Sequence, residues 1–513
     1  MIVIYHHKNR ITKVISEGTT ALSFNSNNSI ACELLKIAVQ FPKALICWCS
    51  NHNRQYLSIK EVNKLCHHHK MMLSYNPSHY NYLDESIGYV EQSPFIKVNK
   101  KVRYPTWQMS SEVGLVHASL LILLKEKIKL DQDFDYFLNS VAKLYMPLGL
   151  FCYSEPQLLN GYDEHKIPKA ANKTLFKFVK QHYKLRWLFL LIFNKMIYER
   201  KLPVFQFLYA LLFISKSNAK ISLDKIAVLS SLKVVNKGTI DVIIPTIGRK
   251  NYVYDVLCDL RNQTYLPKNV IIVEQNPQLH SDSELDYLTN EVWPFKIKHT
   301  FTHQPGACNA RNIALSMVES EWVFLNDDDN RFDKELIEKT FQSIVKCGCK
   351  VVSNCYLKQN EFRINNFINQ APIFGSGNSF LKSELLLNVS FNMGFEFGYG
   401  EDSDFGMQLR NIGADIIYFP EPRILHLSAP IGGFRTKPVL KWHGDPIQPK
   451  PSPTVMLYQI LHNTREQILG YKTILFFKYY KDQKIKNPIS YFVNFRKQWK
   501  RSVFWANELN KKQ

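Results

Sequence analysis

Three short apolar runs in the middle of the chain, separated by helical patterns, constrain the fold more than any other feature. The runs IDVII, NVIIV and WVFL have the length and composition of buried strands. Between the first two, the apolar residues of NYVYDVLCDLRNQ recur at helical spacing, and a second helical pattern covers 307–318. Because strands that alternate with helices form mostly parallel sheets covered by helices, the sequence predicts an α/β domain beginning near residue 238.

Each of the three predicted strands ends in a polar cluster, at 245–249, 274–276 and 326–329. In open α/β sheets, ligands bind outside the carboxyl ends of the strands. The third strand, in WVFLNDDDNRF, leads directly into Asn326 and three aspartates. Neighbouring carboxylates repel one another unless a positive group joins them. A solvated turn is the alternative, since Asp and Asn often end strands. Because all three polar clusters are predicted at the same edge of the sheet, a ligand site is favoured over a solvated turn.

A second acidic cluster lies in GYGEDSDFGMQLRNIGADIIYFPEPRILHL, at 398–427. Its Gly-rich turn brings Glu401, Asp402 and Asp404 to the start of a predicted helix, whose N-terminus partly offsets their charge. A charge cluster that only stabilises the helix N-terminus is the alternative. His426 follows a short apolar segment, where a buried core histidine is the alternative. Carboxylates with an imidazole suit Mn or Mg, which usually bridge phosphate oxygens.

Six motifs follow one another along this region: DVIIPTIGR, IIVEQN, GACNARNIAL, FLNDDD, GSGNSF and GYGEDSDFGMQLR. In this order they resemble glycosyltransferase family 2, over roughly residues 238–427. The resemblance implies a GT-A fold, which is a Rossmann-like α/β/α sandwich. It also implies a nucleotide-diphospho-sugar donor, with a UDP-sugar expected, bound through a DxD-type motif and Mn or Mg. Members of the family invert the configuration of the transferred sugar.

The resemblance also assigns roles to individual residues. Asp402 falls on the catalytic base, and Glu401 is oriented toward the acceptor. Asp328 falls on the metal-binding position, with Asp329 and His426 completing the metal site. Asn326 stands where the family shows the first aspartate of its motif. The residues that match the donor-binding segments are Pro245, Thr246, Arg249, Glu274, Gln275, Arg311, Asn312, Asp327, Gly377 and Asn378.

The first part of the chain contains one segment that parallels the second acidic cluster. In LDQDFDYFLNSVAKLYMPLGLFCYSEPQLL, at 130–159, acids precede a helix, an aromatic strand and a Glu-Pro turn, as they do at 398–427. We therefore predict that 1–165 is an α/β domain and a degenerate GT-A-like copy. A chance match of two common helix–strand units is the alternative. The remaining predicted regions are a helical connector at 166–237, the catalytic domain at 238–430 and a basic aromatic helical region at 431–513.

The net charge of +21 is concentrated near the C-terminus, where 431–513 contains sixteen Lys/Arg and four Asp/Glu. The segments ILFFKYYKDQKIK and YFVNFRKQWKRSVFW interleave aromatic and basic residues, which is typical of a helix on an anionic membrane surface. A helix packed on the catalytic domain is the alternative. Arg435, in APIGGFR, is expected to close over the diphosphate. WLFLLIF and VFQFLYALLFI are too short to cross a bilayer and predict buried or interfacial helices.

Together these features predict an inverting, metal-dependent glycosyltransferase for surface polysaccharide or glycoconjugate synthesis. The expected acceptor is a growing glycan or a lipid-linked glycan. The cysteines lack disulfide spacing and MIVIYHHKNR lacks a signal-peptide core, so we expect a cytoplasmic protein, peripheral on the inner face of the membrane. Alternatives are a nucleotidyltransferase or a basic nucleic-acid-binding protein. Because no RRM, KH or zinc-finger motif is present, no nucleic-acid partner is expected.

Overall fold

The computed structural model describes residues 1–16, 20–78, 80–125, 128, 130–163, 169–216, 222–363, 365–430 and 438–511. The chain divides into two compact units. Unit 1 comprises Met1–Leu232 and Asn463–Leu475, and unit 2 comprises Lys233–His462 and Phe476–Gln513. Each unit is built on one mixed sheet, which confirms the predicted α/β class. Arg435 lies outside the described residues.

Unit 1 contains a sheet with the strand order β3-β2-β1-β4-β7-β5-β8-β6 in its described residues. The strands are β1 Ile2–His7, β2 Arg10–Ser16, β3 Thr20–Ala21, β4 Leu45–Ser50, β5 Met71–Tyr75, β6 Tyr104–Pro105, β7 Val113–His117 and β8 Phe151–Ser154. The helices are α1 Ile30–Gln40, α2 Ile59–Leu65, α3 Ala118–Leu124, α4 Phe134–Tyr145, α5 Asn172–His182, α6 Leu185–Glu199 and α7 Val204–Leu211. The central strands β4, β5 and β7 are almost wholly buried, as expected for apolar runs with helices on both faces.

A close contact between β4 and β7 explains a glycine in the centre of this sheet. Gly114 lies opposite Trp48 in the antiparallel register. A Cβ atom on Gly114 would lie 2.1 Å from the Trp48 ring, so no larger residue fits there. Trp48 is itself fully buried, and its indole N–H donates to the Ser110 carbonyl at 3.0 Å. The core of unit 1 is therefore packed around a tryptophan that the glycine accommodates.

Unit 2 contains a sheet whose main strand order is β11-β10-β9-β12-β16-β14-β17-β13, with β15 paired to β17. The strands are β9 Ile240–Ile247, β10 Asn269–Gln275, β11 Lys296–Thr302, β12 Trp322–Asn326, β13 Asn330–Phe332, β14 Val351–Leu357, β15 Asn369–Gln370, β16 Asn378–Lys382 and β17 Ile416–His426. The helices are α8 Lys250–Arg261, α9 Tyr287–Asn290, α10 Ala307–Ser316, α11 Leu336–Cys347, α12 Glu401–Asn411, α13 Pro453–His462 and α15 Pro488–Asn510. Helix α14, Arg465–Asp482, belongs to unit 1 up to Leu475 and to unit 2 from Phe476. The three apolar runs of the sequence form β9, β10 and β12, which are adjacent and parallel.

Five strands have the same order and directions in both sheets. In unit 1, β1 and β4 are parallel, β7 is antiparallel to both β4 and β5, and β5 and β8 are parallel. In unit 2 the same pairing joins β9 to β12, β12 to β16, β16 to β14 and β14 to β17. The two sheets differ in the strands that lie next to the first of these five, β1 in unit 1 and β9 in unit 2. Unit 2 adds the parallel strands β10 and β11, whereas unit 1 adds the antiparallel strands β2 and β3.

The basic C-terminal region forms α13, α14 and α15. Helix α15 buries Tyr491, Phe495, Trp499, Ser502 and Ala506, which recur at three- and four-residue spacing along one face. Packing between α13 and α15 places part of the aromatic content of this region in the interior of unit 2. Within the described residues, no helix is both long and apolar enough to cross a membrane.

Candidate active site

The polar clusters after β9, β10 and β12 lie along one edge of the unit 2 sheet. Thr246 is opposite Glu274 in the parallel register of β9 and β10, and β12 runs parallel to β9 on its other side. Pro245 is half-buried beside Val273 in the same register. Because parallel strands end at the same edge, the polar residues that follow them are brought together. This edge contains most of the residues matched at the sequence level.

Asp328 is almost completely buried and is neutralised by one arginine. Its carboxylate accepts a 2.7 Å hydrogen bond from the Thr246 hydroxyl and a 2.5 Å bond from Arg249 Nη1. The residue as a whole is only 3% exposed. Burial raises the pKa of Asp328 to about 6, although Arg249 and the hydrogen bonds act in the opposite direction. Asp328 is therefore a buried carboxylate that depends on a cation for its charged state.

Asp329 shares that arginine and adds a histidine. Its Oδ2 lies 3.4 Å from Arg249 Nη1 and accepts a 2.8 Å bond from the backbone N–H of Ala429. Its Oδ1 lies 3.4 Å from His426 Nε2. Burial acts to raise the pKa of Asp329, but His426, the Ala429 N–H and Arg249 hold it below its usual value. The His426 ring stacks on Tyr356 with 4.8 Å between centroids.

Asp327 faces a second arginine. Its Oδ1 accepts a 3.1 Å bond from Arg311 Nη2, and its Oδ2 accepts a 3.1 Å bond from the Tyr356 hydroxyl. A Cβ atom on Gly377 would lie 2.1 Å from Asp327 Oδ2, so only glycine lets the backbone approach this carboxylate. Arg311 is 8% exposed, and its Nε has no hydrogen-bond partner within the described part of the chain. The neighbouring carboxylates raise the pKa of Arg311 against the effect of burial.

The two carboxylates at the start of α12 lie within electrostatic range of the same arginine. Burial raises the pKa of Asp402, while Arg311 and hydrogen bonds from the Ser376 hydroxyl and backbone N–H oppose that increase. Asp402 Oδ1 is buried and accepts no hydrogen bond from any described residue. Burial, reinforced by the charge of Asp402, raises the pKa of Glu401 to about 7. Asp402 thus has one oxygen available to accept a proton.

Four of the matched residues make contacts with neighbouring protein groups. Gln275 accepts from the Gly306 N–H at 2.6 Å, and Glu274 interacts with Ser283 and with His299 at 3.0 Å. The Asn312 side chain bonds to both backbone groups of Phe391, at 2.7 and 2.8 Å. Asn378 donates to the Asn354 carbonyl. These contacts fix the walls of the site, and donor binding by these residues stays a prediction.

The structure explains the asparagine that precedes the three aspartates. Asn326 is fully buried at the end of β12, and its side-chain N–H donates to the Asp327 carbonyl at 3.0 Å. Its Oδ1 accepts from Asn330 at 2.7 Å, and Asn330 in turn donates to the Gly377 carbonyl at 2.7 Å. Asn326 therefore both donates and accepts, which an ionised aspartate cannot do. It fixes the turn that presents the aspartates.

Oxygen ligands for a cation are present, but they are paired within the protein. In the part of the chain that the structure describes, no group of three or more His, Cys, Asp or Glu side chains is placed to hold an ion. Asp328 and Asp329 instead converge on Arg249 Nη1, at 2.5 and 3.4 Å. The carboxylate oxygens of Asp328 and Asp329 thus suit a cation at the position that the Arg249 guanidinium occupies. Metal binding by Asp328, Asp329 and His426 stays a prediction.

Three residues of the site carry no assignment from the sequence. Tyr356 bonds to Asp327 and stacks on His426, and it lies on β14, which no motif marks. Ser376 positions Asp402 from the small-residue segment before β16. Glu396 accepts from the backbone N–H groups of Cys308 and Asn309, at 3.1 and 2.9 Å, at the start of α10. Of these three residues, only Ser376 has an indication in the sequence, because the glycines beside it predict a close approach of the backbone to a ligand.

The family model described as glycosyl transferase family 2 matches residues 241–404. This stretch is a glycosyltransferase family 2 segment. It begins in β9 and ends within α12, so it includes every residue of the site described above except His426 and Ala429. The family 2 segment thus coincides with the clustered carboxylates and arginines, and the predicted resemblance is confirmed.

The chain is also similar to a bacterial glycosyltransferase. The chain is similar to "Glycosyltransferase GlyG" of Streptococcus pneumoniae serotype 4 (strain ATCC BAA-334 / TIGR4), with 22% identity over 153 residues. This match covers 30% of the chain, which spans about half, 49%, of that relative.

Similar solved structures include two forms of one staphylococcal protein. The crystal structure of S. aureus TarS 1–349 is 18% identical, with a TM-score of 0.31, and the match covers 37% of this chain and 60% of TarS 1–349. The complex of TarS 1–349 with UDP-GlcNAc is 18% identical, with a TM-score of 0.34 and coverage of 52% and 79%.

Proposed function

We propose that the protein is an inverting glycosyltransferase that transfers a sugar from a nucleotide-diphospho-sugar, with UDP as the expected nucleotide, to an acceptor hydroxyl. The family 2 segment supports this reaction class over a nucleotidyltransferase or a nucleic-acid-binding protein. The proposed acceptor is a growing or lipid-linked glycan, in surface polysaccharide or glycoconjugate synthesis. The proposed location is the cytoplasmic face of a membrane, with the basic region 431–513 contributing contacts to anionic lipid.

The observation that carries the proposal is the environment of Asp402. Its Oδ1 is buried without a hydrogen-bond partner in the described residues, while Ser376 and Arg311 fix the rest of the carboxylate. A general base needs such a free oxygen within reach of the proton that it removes. Burial raises its pKa and so strengthens it as a base. Asp402 is thus suited to accept the proton of an acceptor hydroxyl as that oxygen attacks the sugar C1 carbon.

The leaving diphosphate would be stabilised by the arginines on the same edge. As the bond between C1 and the diphosphate oxygen breaks, negative charge develops on the leaving group. Arg249 and Arg311 each already bind a carboxylate of the aspartate cluster, at 2.5 and 3.1 Å. The same guanidinium groups can bind phosphate oxygens, because Arg geometry suits both anions. Glu401, beside Asp402, is proposed to orient the acceptor.

A divalent ion, Mn or Mg, would be held by Asp328, Asp329 and His426. Both carboxylates already converge on one cationic nitrogen, and this convergence supports a cation position at that point. When bound, such an ion would neutralise the diphosphate charge. Arg249 would then be released from Asp328 for the donor. The chelator EDTA tests this, since full activity in EDTA would remove the metal from the proposal.

The decisive experiment measures release of the nucleoside diphosphate from UDP-, GDP- and dTDP-sugars, with thermal shift to report donor binding. Wild-type protein should be stabilised by one of these donors and should hydrolyse it slowly without an acceptor. The D402N variant should keep the thermal shift and lose turnover, because the amide cannot accept the proton. If no donor shifts the melting temperature and none is hydrolysed, the proposed reaction is wrong.

We further propose that unit 1 is a non-catalytic copy of the same fold. Asp135 is the second residue of α4, as Asp402 is of α12. Asp135 accepts from the Ser111 N–H and hydroxyl, both at 2.7 Å, and Ser376 binds Asp402 through the same two groups. Ser111 and Ser376 each lie two residues before an antiparallel strand, β7 or β16. Because the antiparallel strand β2 stands where unit 2 has the parallel strand that holds Glu274, the described part of unit 1 has no counterpart of that donor-site strand.

A further inference from the structure

Helices α6 and α7 of unit 1 expose an unusually apolar surface. Helix α6 carries apolar side chains on all sides, together with Arg186, Asn194, Lys195 and Glu199, yet its buried residues are limited to Leu188, Leu191, Asn194 and Lys195. Helix α7 buries Ala210 alone. A helix that is apolar on all sides is normally enclosed by protein or by lipid. Much of the apolar surface of these two helices faces outward in the described structure.

The exposed apolar side chains of α6, α7 and the residues beside them are large. Phe205 and Ile214 are each 85% exposed, Leu212 is 78% exposed and Leu202 is 62% exposed. Phe189 of α6, which is 54% exposed, contacts Phe207 of α7 with 5.1 Å between ring centroids. This contact joins the two helices into one surface, which we call the α6–α7 surface, at 185–214. Contiguous apolar patches of this kind mark interaction sites.

Helix α5 explains why this surface faces outward. Its apolar residues, Leu175, Phe176, Phe178 and Val179, are fully buried in the unit 1 core. Both α6 and α7 pack against α5 and so form a layer outside it. Lys173 and Lys180 of α5 contact the Tyr209 ring and the Phe213 carbonyl, which holds α7 in place. The core of unit 1 is complete without the outer face of this layer.

The charges around the surface favour an anionic partner. Residues 184–216 contain six Lys/Arg and a single acid, Glu199. That acid is paired with Lys195 at 2.9 Å and with Lys201 at 3.7 Å, so it is not a free negative charge. Asp84 and Glu85 line the same pocket as this end of α6, whereas Lys184 and Arg186 lie at the other end. Lys184 and Arg186 flank one end of α6, Arg200 and Lys201 flank the other, and all four are exposed. Apolar side chains with basic flanks are the composition of helices that lie in a membrane interface.

We propose that the α6–α7 surface docks on an anionic lipid bilayer, with Phe205, Leu208 and Leu212 in the acyl boundary and the flanking cations at the phosphate headgroups. This contact is separate from the one proposed for 431–513. It requires no transferase activity, so it stands or falls independently of the proposed reaction.

The test is co-sedimentation of the full-length protein with vesicles of phosphatidylglycerol and phosphatidylcholine, against phosphatidylcholine alone. Wild-type protein should pellet with the mixed vesicles only. The F205S/L212S variant should bind them at least about tenfold more weakly, because it loses buried apolar area. The R200E/K201E variant should also bind more weakly, with a smaller dependence on salt. Both variants should keep the wild-type melting temperature, since all four side chains are exposed.

The matched control is F362S, which changes a phenylalanine that is 91% exposed in unit 2. F362S should bind the vesicles as wild-type does. Failure of wild-type protein to pellet with the mixed vesicles, or equal binding by F205S/L212S, would overturn the proposal. So would a wild-type dimer that F205S/L212S converts to monomer without any vesicle binding, because the surface would then serve a second copy of the chain. Hydrolysis of the donor sugar, measured in parallel, reports the proposed reaction separately.

Discussion

Arg249 and Asp328 form a 2.5 Å ion pair that is nearly closed to solvent, with the two side chains 9% and 4% exposed. The same guanidinium lies 3.4 Å from Asp329, so a single cation neutralises two adjacent carboxylates. Removing one partner of a buried pair leaves an uncompensated charge, which is more costly than the pair itself is stabilising. Arg249 therefore stabilises this edge of the sheet, in addition to any part it has in ligand binding.

We expect R249M to lower the free energy of unfolding by about 3 kcal/mol at pH 8. Burial raises the pKa of Asp328 to about 6, so the folded protein binds its proton more readily than the unfolded chain does. R249M removes the arginine that opposes this increase, so the pKa of Asp328 should rise further, and the penalty should shrink between pH 8 and pH 5 as protonation removes the unpaired charge. Urea unfolding at pH 8 and pH 5 measures both values. K350M, which breaks an exposed pair with Glu384, should change stability by less than about 0.5 kcal/mol.

R249M also tests the proposed cation position beside Asp328 and Asp329. If Asp328 and Asp329 can hold Mn, the ion should restore much of the stability that R249M loses, since it would replace the missing positive charge. An unfolding curve that Mn leaves unchanged would argue against an ion at these two carboxylates.

We expect E401Q to raise the melting temperature at pH 8 and to leave it unchanged at pH 4. Burial and Asp402 raise the pKa of Glu401 to about 7, so this group stabilises the fold when protonated. That contribution is present below the pKa of the unfolded chain and is lost as the pH rises through about 7. Glutamine keeps the neutral form at every pH. A melting temperature at pH 8 equal to or below that of wild-type would contradict the raised pKa.

The G377A variant should disrupt donor binding through Asp327. The new methyl group would lie 2.1 Å from Asp327 Oδ2 and would displace the carboxylate from Arg311. We expect the donor to bind at least about tenfold more weakly in a titration. G444A is the control, because nothing lies within 4 Å of its added methyl group and the glycine has no positive φ. Equal affinity of the two variants would exclude Asp327 from the donor site.

Replacing Asn326 by the aspartate that the family motif shows should harm this chain. In N326D, a carboxylate oxygen would face the Asp327 carbonyl at the 3.0 Å distance where the amide now donates. Two acceptors cannot satisfy one another, so we expect a loss of about 1–3 kcal/mol in chemical denaturation. N326D as stable as wild-type would mean that the turn does not depend on this hydrogen bond.

A substitution at Asp135 tests the proposal that unit 1 is not catalytic. Its carboxylate is bound by Ser111, and burial raises its pKa to about 7. We expect D135N to leave turnover within about twofold of wild-type, whereas D402N loses it by about a hundredfold or more. Turnover assays on both variants decide this. Loss of turnover in D135N with an unchanged melting temperature would assign unit 1 a part in the reaction.

The sequence alone determined the α/β class of the region that begins near 238 and the family of residues 241–404, which the family model confirms. It did so because apolar periodicity and strand-end polar clusters are local properties of the chain. It also indicated that the aspartates after WVFL end a buried strand, and β12 ends at Asn326.

The tertiary structure decided which groups share the site. Tyr356 and Ser376 reach Asp327 and Asp402 from β14 and from the segment before β16, and strand order is set by long-range pairing that no short motif encodes. Long-range packing also decides that 463–475 belongs to unit 1 and that much of α6 and α7 faces outward. An apolar sequence specifies that a surface must be covered, but only packing decides whether protein covers it.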